Sequence, residues 1–90
     1  MQLNIKFTSQ FKKDYKRCKK RNYNISTLES VITLLIQNKE LPNKYRDHFL
    51  IGNYNGRREC HLAPDWLLIY KIENDTIFLE RTGSHSDLFK

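Results

Sequence analysis

Three short segments in the second half of the chain have the pattern of β-strands, and two tight turns separate them. The segments are residues 57–62, 66–72 and 76–81. The connections between them, 63–65 and 73–75, contain Pro, Asn and Asp, which are typical turn formers. Strands joined by such short turns must pair antiparallel, because a parallel crossover needs a dozen or more residues. We therefore predict an antiparallel meander of three strands.

The N-terminal part of the chain predicts a strand followed by a basic helix. Residues 2–7 alternate apolar and polar side chains, as in a half-buried strand. Thr8 or Ser9 can cap the helix that follows. Seven of the ten residues 12–21 are Lys or Arg, and one is acidic. This density favours an electrostatic contact with RNA or an acidic partner, and the alternative is a solvated face. A thin apolar stripe on this helix is formed by Phe11, Tyr15 and Cys18.

A second helix completes the predicted fold. Ser26 and Glu29 have the spacing of a capping box, and the helix should end near Asn38. The resulting order is β-α-α-β-β-β, an α+β fold in which two N-terminal helices pack on one face of an antiparallel sheet. The other face would be open to a ligand. With 90 residues, the chain is expected to form a single domain, residues 1–90.

Composition narrows the class of protein. The net charge of +6 indicates an anionic partner. The start, MQLNIKFTSQ, has no signal-peptide pattern, and the chain has no long apolar run, so we expect a cytoplasmic protein that does not use a membrane. Cys18 and Cys60 are too few and too far apart for a zinc site or a disulfide framework, and should be buried thiols. No phosphate-binding, dinucleotide or nucleophile-elbow motif occurs, so we expect no cofactor and no metal.

Histidines are the first candidates for chemistry. His48, His61 and His85 lie on a long loop (39–56), on the first meander strand and in the tail, and these elements should converge. Histidine transfers protons near neutral pH. Glu59 shares strand parity with His61, so the two side chains project from one face. Solvated or hydrogen-bonded surface roles fit these residues equally well.

Two further residues have both a structural and a chemical interpretation. Asp65 follows Pro64, so it can form a turn, or it can accept a proton or orient a histidine. Arg81 continues the apolar row of its strand, where it can cover the edge of the core or offer a planar fork to a phosphate. The aromatic residues Trp66 and Tyr70 fit the core better than a base-stacking surface.

The motifs of the second half resemble a known family. The pieces are D-H, then R-x-C-H-L-x-P-D-W, L-L-I-Y and R-T-G-S-H-S-x-L-F, and the likeness extends over nearly the whole chain. Together they resemble the YafQ branch of the RelE/ParE toxin superfamily. The resemblance implies a RelE-like, microbial-RNase-type fold. It also implies a bacterial toxin that cleaves messenger RNA in the ribosomal decoding site without metal, and that is held by a cognate antitoxin in a hetero-oligomer.

Carried over by position, the resemblance implies specific roles. Phe89 matches a tail aromatic that helps to place the RNA, and Glu59 matches a position that is usually acidic. The basic helix would grip ribosomal RNA. The implied catalytic set is His48, His61, Asp65, Arg81 and His85. The charge density of the basic helix adds Lys12, Lys13, Lys16, Arg17, Lys19 and Lys20 to the predicted RNA-binding set, beside Phe89 and Glu59.

One departure and two rival functions remain open at this stage. Phe49 stands where the family often has proline, so we expect a looser loop around His48. The first rival is a ParE-like toxin that binds and inhibits DNA gyrase without cutting RNA, a function that requires no histidine set. The second is an inactive subunit that serves only as a repressor bound to its antitoxin.

Overall fold

The computed structural model describes residues 2–50 and 56–89. Within these ranges the chain forms five strands, three α-helices and one 3₁₀ turn. In chain order they are β1 (Asn4–Phe7), α1 (Ser9–Lys20), α2 (Ile25–Ile36), the 3₁₀ turn (Asn43–Tyr45), β2 (His48–Phe49), β3 (Arg58–Ala63), β4 (Trp66–Glu73), β5 (Thr76–Gly83) and α3 (His85–Leu88).

The strands form one sheet in the order β1-β5-β4-β3-β2. The predicted meander is confirmed, since β3, β4 and β5 pair antiparallel in sequence. The sheet is mixed rather than wholly antiparallel, because β1 runs parallel to β5. A parallel pair needs a long connection, and here that connection is the rest of the chain, starting with α1 and α2. The α+β class and the two N-terminal helices are as predicted.

The helix starts were predicted with mixed success. Thr8 caps α1, because its hydroxyl accepts a hydrogen bond from the Phe11 amide at 3.0 Å. The capping box at Ser26 and Glu29 is wrong. Helix α2 begins at Ile25, and its N-cap is Asn24, two residues before the predicted cap. Ser26 donates its hydroxyl proton to the Asn24 side chain at 2.6 Å instead. A short hydroxyl can bond several nearby acceptors, so the spacing alone does not fix a cap.

The main core lies between the helices and one face of the sheet, and its largest buried side chains include Tyr70, Leu28 and Leu68. Both cysteines are free and fully buried, as predicted. Burial raises the pKa of the Cys60 thiol well above its ordinary value, so the thiol stays protonated and unreactive.

The opposite face of the sheet is not fully open. A second apolar cluster joins Leu67 and Ile69 of β4 to Leu88 of α3, with Leu50 packed against it. Helix α3 was not predicted, because its four residues are too few to show a period. Its start is fixed by a capping box, in which Ser84 and Asp87 exchange hydrogen bonds between side chain and backbone. The tail is thereby folded onto the sheet.

The segment predicted as a loop, residues 39–56, is partly structured. It contains the 3₁₀ turn and the two-residue strand β2, which pairs with β3. Residues 51–55 lie outside the described residues. In the ranges that are described, no helix has the length and apolarity to cross a membrane.

Candidate active site

A row of four residues crosses the sheet on the face that carries α3. His48 on β2 pairs with Glu59 on β3, Glu59 with Ile69 on β4, and Ile69 with Arg81 on β5. Residues directly opposite each other on neighbouring strands project from the same face. Since strands are spaced about 4.8 Å apart, Arg81 begins about 10 Å from Glu59. The register therefore places a candidate histidine (His48), a candidate carboxylate (Glu59) and a candidate cation (Arg81) in one line.

Glu59 joins two of the histidines. Its Oε1 atom lies 3.4 Å from Nε2 of His48 and 3.4 Å from Nε2 of His61. Its side chain is only 8% exposed, so both histidines contact one carboxylate that is largely withdrawn from water. The shared parity predicted for Glu59 and His61 is confirmed by their common register face.

Asp65 and His85 form a second pair of carboxylate and imidazole. Asp65 Oδ1 accepts a hydrogen bond from the His85 amide at 2.9 Å and lies 2.7 Å from His85 Nδ1. The turn at 63–65 and the first residue of α3 meet in this way across the end of the sheet. The backbone N–H of His85, and then its ring, lower the pKa of Asp65. The aspartate is therefore ionised at neutral pH and orients the ring of His85 through Nδ1.

Four rings stand side by side along this face. The centroid of His61 lies 6.2 Å from that of His48 and 6.0 Å from that of His85. Phe89 continues the line, 6.3 Å beyond His85. Next to the rings is a cleft of about 690 Å³. The cleft is lined by His61 and His85 together with Lys44, Tyr45 and Arg46.

The loop that carries His48 is restrained by contacts of Asp47 and Phe49 that the sequence did not predict. Arg58 donates hydrogen bonds from Nε and Nη2 to the carboxylate of Asp47 at 3.2 and 3.0 Å. The Tyr70 hydroxyl donates to the same carboxylate at 2.5 Å. The guanidinium of Arg58 also lies 4.2 Å from the ring centroid of Phe49. Because Phe49 replaces the proline that is frequent in the family, the loop was expected to be looser. These contacts restrain the loop in place of that proline.

Changing Tyr70 to phenylalanine tests this restraint. The variant keeps the buried ring and removes one hydrogen bond to an ionised group, so the free energy of unfolding should fall by about 2 kcal/mol. Urea denaturation measures this loss. Tyr15→Phe is a matched control, because the contacts of Tyr15 on α1 are ring contacts with Phe11 and Lys19. Equal stability of wild type and Tyr70→Phe would contradict the role given to the Asp47 contact.

Arg81 lies on the row, and its side chain also binds α1. Its Nε donates to Oδ2 of Asp14 at 2.7 Å, and its Nη2 lies 3.4 Å from Oδ1. Asp14 is fully buried. It occupies the apolar stripe of α1, three residues after Phe11 and four before Cys18. An acidic residue within such a stripe was the signal that could have identified it as a partner.

The basic side chains of α1 divide into two groups. Arg17 is part of an ion-pair network with Asp14 and Asp87, at 3.1 and 3.8 Å. The others are exposed: Lys12, Lys13, Lys16, Lys19 and Lys20. The sheet order puts β5, which contacts α1, at the opposite side from β2. The lysines therefore form a surface separate from the line of histidine rings, and their RNA-binding role stays a prediction.

Two of the five candidate catalytic residues form one pair, and two others share one carboxylate. His48 and His61 meet at Glu59, while Asp65 and His85 bind each other. In the part of the chain that is described, no group of three or more His, Cys, Asp or Glu side chains is arranged to hold a metal ion.

Comparisons with known proteins give the family. Residues 3–90 match the family described as bacterial toxin of type II toxin-antitoxin system, YafQ. The chain belongs to the YafQ family of type II toxins. It is 42% identical to the mRNA interferase toxin YafQ of Escherichia coli K12, over 99% of this chain and 98% of that protein. The family and its superfamily were predicted from the motifs of the second half.

Solved structures of similar toxins have the same fold. In the crystal structure of the Escherichia coli DinJ–YafQ toxin–antitoxin complex, the matching chain is 42% identical, with a TM-score of 0.92 and full coverage of both chains. A metal-bound toxin from Helicobacter pylori is 43% identical, with a TM-score of 0.90, over 97% of this chain and 99% of that one. The predicted fold class is thereby confirmed.

Proposed function

We propose that this YafQ-family toxin is a ribosome-dependent endoribonuclease that cleaves messenger RNA in the decoding site by metal-independent acid–base chemistry. The observation that carries the proposal is the line of three imidazoles, His48, His61 and His85, with a carboxylate beside each end. The YafQ relative from Escherichia coli bears the name mRNA interferase, which agrees with this chemistry.

The reaction needs one group to take a proton and one to give it. The 2′-oxygen of the message attacks the adjacent phosphorus, and its proton passes to a base. The bond from phosphorus to the 5′-oxygen breaks, and that oxygen receives a proton from an acid. The products are a 2′,3′-cyclic phosphate and a free 5′-hydroxyl. His61 and His85, with ring centroids 6.0 Å apart, are close enough for one phosphate to contact both.

The two carboxylates give the rings different environments. Glu59 is largely buried and contacts His48 and His61, whereas Asp65 is exposed and fixes His85 through Nδ1. Groups in different surroundings can take the acid and base roles separately, and close groups titrate together. Arg81, at the end of the row, would stabilise the extra negative charge on the phosphate. Phe89 extends the line of rings and offers a surface for base stacking.

The proposed partners follow from charge. The net charge of +6 and the exposed lysines of α1 would contact ribosomal RNA. A cognate antitoxin, acidic in its toxin-binding segment, would fold around the basic toxin and block its action. The DinJ–YafQ complex of Escherichia coli is a precedent for such a pair.

The function is tested by incubating purified toxin with programmed ribosomes and mapping the ends of the message. We expect cleavage within the codon in the decoding site, leaving a 5′-hydroxyl on the downstream fragment. The rate should not change when every added divalent metal is left out except the Mg²⁺ that intact ribosomes need. Naked message should be cut far more slowly. An intact message on ribosomes, with loss of gyrase supercoiling instead, would establish the ParE-like alternative.

Asp65→Asn gives a pH-dependent test of the Asp65–His85 pair. Because the pKa of Asp65 is lowered, the carboxylate acts above its unfolded pKa of about 3.9 and is lost only as the pH falls through the still lower folded value. From about pH 5.5 to 8.5 the carboxylate stays ionised. The cleavage rate of Asp65→Asn should therefore be lower than that of wild type by the same factor, about tenfold, across that range. Single-turnover rates on programmed ribosomes measure the factor, and a factor that vanishes within the range would contradict the assignment.

A further inference from the structure

The basic helix α1 makes contacts that gripping RNA does not require. Its buried Asp14 accepts hydrogen bonds from Gln10, Arg17 and Arg81, and from the edge amide of Thr82 at 3.2 Å. Two side chains of α1 and two groups of β5 therefore converge on the carboxylate of Asp14. Such convergence fixes the plane of the Arg81 guanidinium, because two of its nitrogens face the same carboxylate.

The same helix holds α3. Arg21 donates from Nη1 and Nη2 to the carboxylate of Asp87 at 2.7 and 3.4 Å. Arg17 lies between the two acids, 3.1 Å from Asp14 and 3.8 Å from Asp87. Asp87 in turn accepts the Ser84 amide at 2.9 Å in the capping box of α3. The pairing with Arg21 lowers the pKa of Asp87 well below its ordinary value.

The strand that leads into α3 is packed tightly against this network. A Cβ atom built on Gly83 would lie 2.9 Å from Oδ2 of Asp87 and 3.2 Å from Nη2 of Arg17. Glycine also suits the positive φ of 156° at this residue. Two residues later, His85 begins the helix. The position of His85 is thus set from one side by Asp65 and from the other by the contacts of Asp87.

We propose that α1 is a positioning element for the cleavage site: Asp14 orients Arg81, while Arg17 and Arg21 hold Asp87 and with it the helix that presents His85. This inference rests on the proposed nuclease function. It changes the role expected for Arg17: instead of contacting RNA, Arg17 pairs with acidic side chains of the protein itself. Reacting groups displaced by about 1 Å can lose about 10²-fold in rate. Loosening α3 should therefore act on the chemical step.

Asp87→Asn tests the tie to α3. It removes the charge and keeps the shape, and the single-turnover rate at saturating programmed ribosomes should fall about tenfold. The ribosome concentration that gives half the maximal rate should stay unchanged. Glu73→Gln is the matched control, because it removes one acidic charge from the exposed Lys71–Glu73 pair. Equal rates for Asp87→Asn and Glu73→Gln, with active wild type, would overturn the positioning role.

Arg21→Gln separates positioning from RNA gripping. Positioning predicts a lower maximal rate, an unchanged half-saturating ribosome concentration and an unchanged salt dependence. Gripping predicts weaker ribosome binding and a smaller salt slope at an unchanged maximal rate, as expected for Lys16→Gln. The double variant Arg21→Gln, Asp87→Asn should be no slower than the slower single variant, because both break one contact. Thermal melts establish that each variant is folded, and an inactive wild type would refute the nuclease function itself.

Discussion

Replacing His85 with alanine is expected to lower the rate of message cleavage on the ribosome by about 10²- to 10⁴-fold, the range for removing a positioned acid or base. The side chain is half exposed, so the fold should survive its loss. Its ring is 6.0 Å from that of His61, and in the proposed mechanism no other imidazole can take its place at that end of the phosphate. Single-turnover mapping of message ends gives the rate directly.

Ser86→Ala is the matched control for His85→Ala. Ser86 is the next residue of the same short helix and is also exposed. It should leave the rate within about twofold of wild type, as for surface substitutions without buried contacts. Growth arrest on expression provides a second measurement, in which His85→Ala should relieve the arrest. Full cleavage by His85→Ala would remove this residue from the proposed catalytic set.

Replacing Arg81 with glutamine is expected to lower the cleavage rate by about 10²- to 10³-fold, because in the proposed mechanism its charge stabilises the phosphate in the transition state. The same change removes the strongest partner of buried Asp14. Arg17 and the Thr82 amide still bind that carboxylate, so the free energy of unfolding should fall by about 2 kcal/mol. Both losses come from one side chain, and chemical denaturation measured beside the cleavage rate separates them.

Arg57→Gln and Arg81→Lys are two controls for the Arg81→Gln result. Arg57 pairs with Glu80, the neighbour of Arg81 on β5, so its loss changes the net charge equally. It should leave the maximal cleavage rate near that of wild type. Arg81→Lys keeps the charge but not the two-point contact with Asp14, and should remain at least tenfold slower than wild type. A rate for Arg81→Gln equal to that of Arg57→Gln would mean that Arg81 only supports the fold.

The arrangement of the site explains why a small domain can hold several titratable groups together. Glu59 is withdrawn from water between two imidazoles, Asp47 is held by Arg58 and Tyr70, and Asp14 by two arginines. Each of these buried or partly buried carboxylates therefore has charged or hydrogen-bonding partners, as the cost of burying a charge requires. Those partners come from different strands and helices, so the site is rigid only when the whole domain is folded.

Local patterns determined the architecture of this protein. Alternation of apolar side chains and the two turn clusters predicted the meander, and the stripe of α1 predicted its buried face. These features depend on neighbours in sequence, so they can be read along the chain. The family motifs predicted the overall fold as well, because a resemblance to a superfamily implies the fold of that superfamily. The parallel pairing of β1 with β5 was not readable, since the partner strands are separated by about 70 residues.

The site depended on tertiary structure at the points where distant side chains meet. The sequence marked His61 and Glu59 as sharing a face, because strand parity is local. It could not show that His48 reaches the same carboxylate, or that Asp14 and Arg81, 67 positions apart, form an ion pair. Burial is what makes such pairs specific, since an ionised side chain inside the protein must find a partner. The folded structure therefore added to the basic surface of α1 a buried acid, Asp14, and two partly exposed arginines, Arg17 and Arg21, that pair with acidic side chains of the protein.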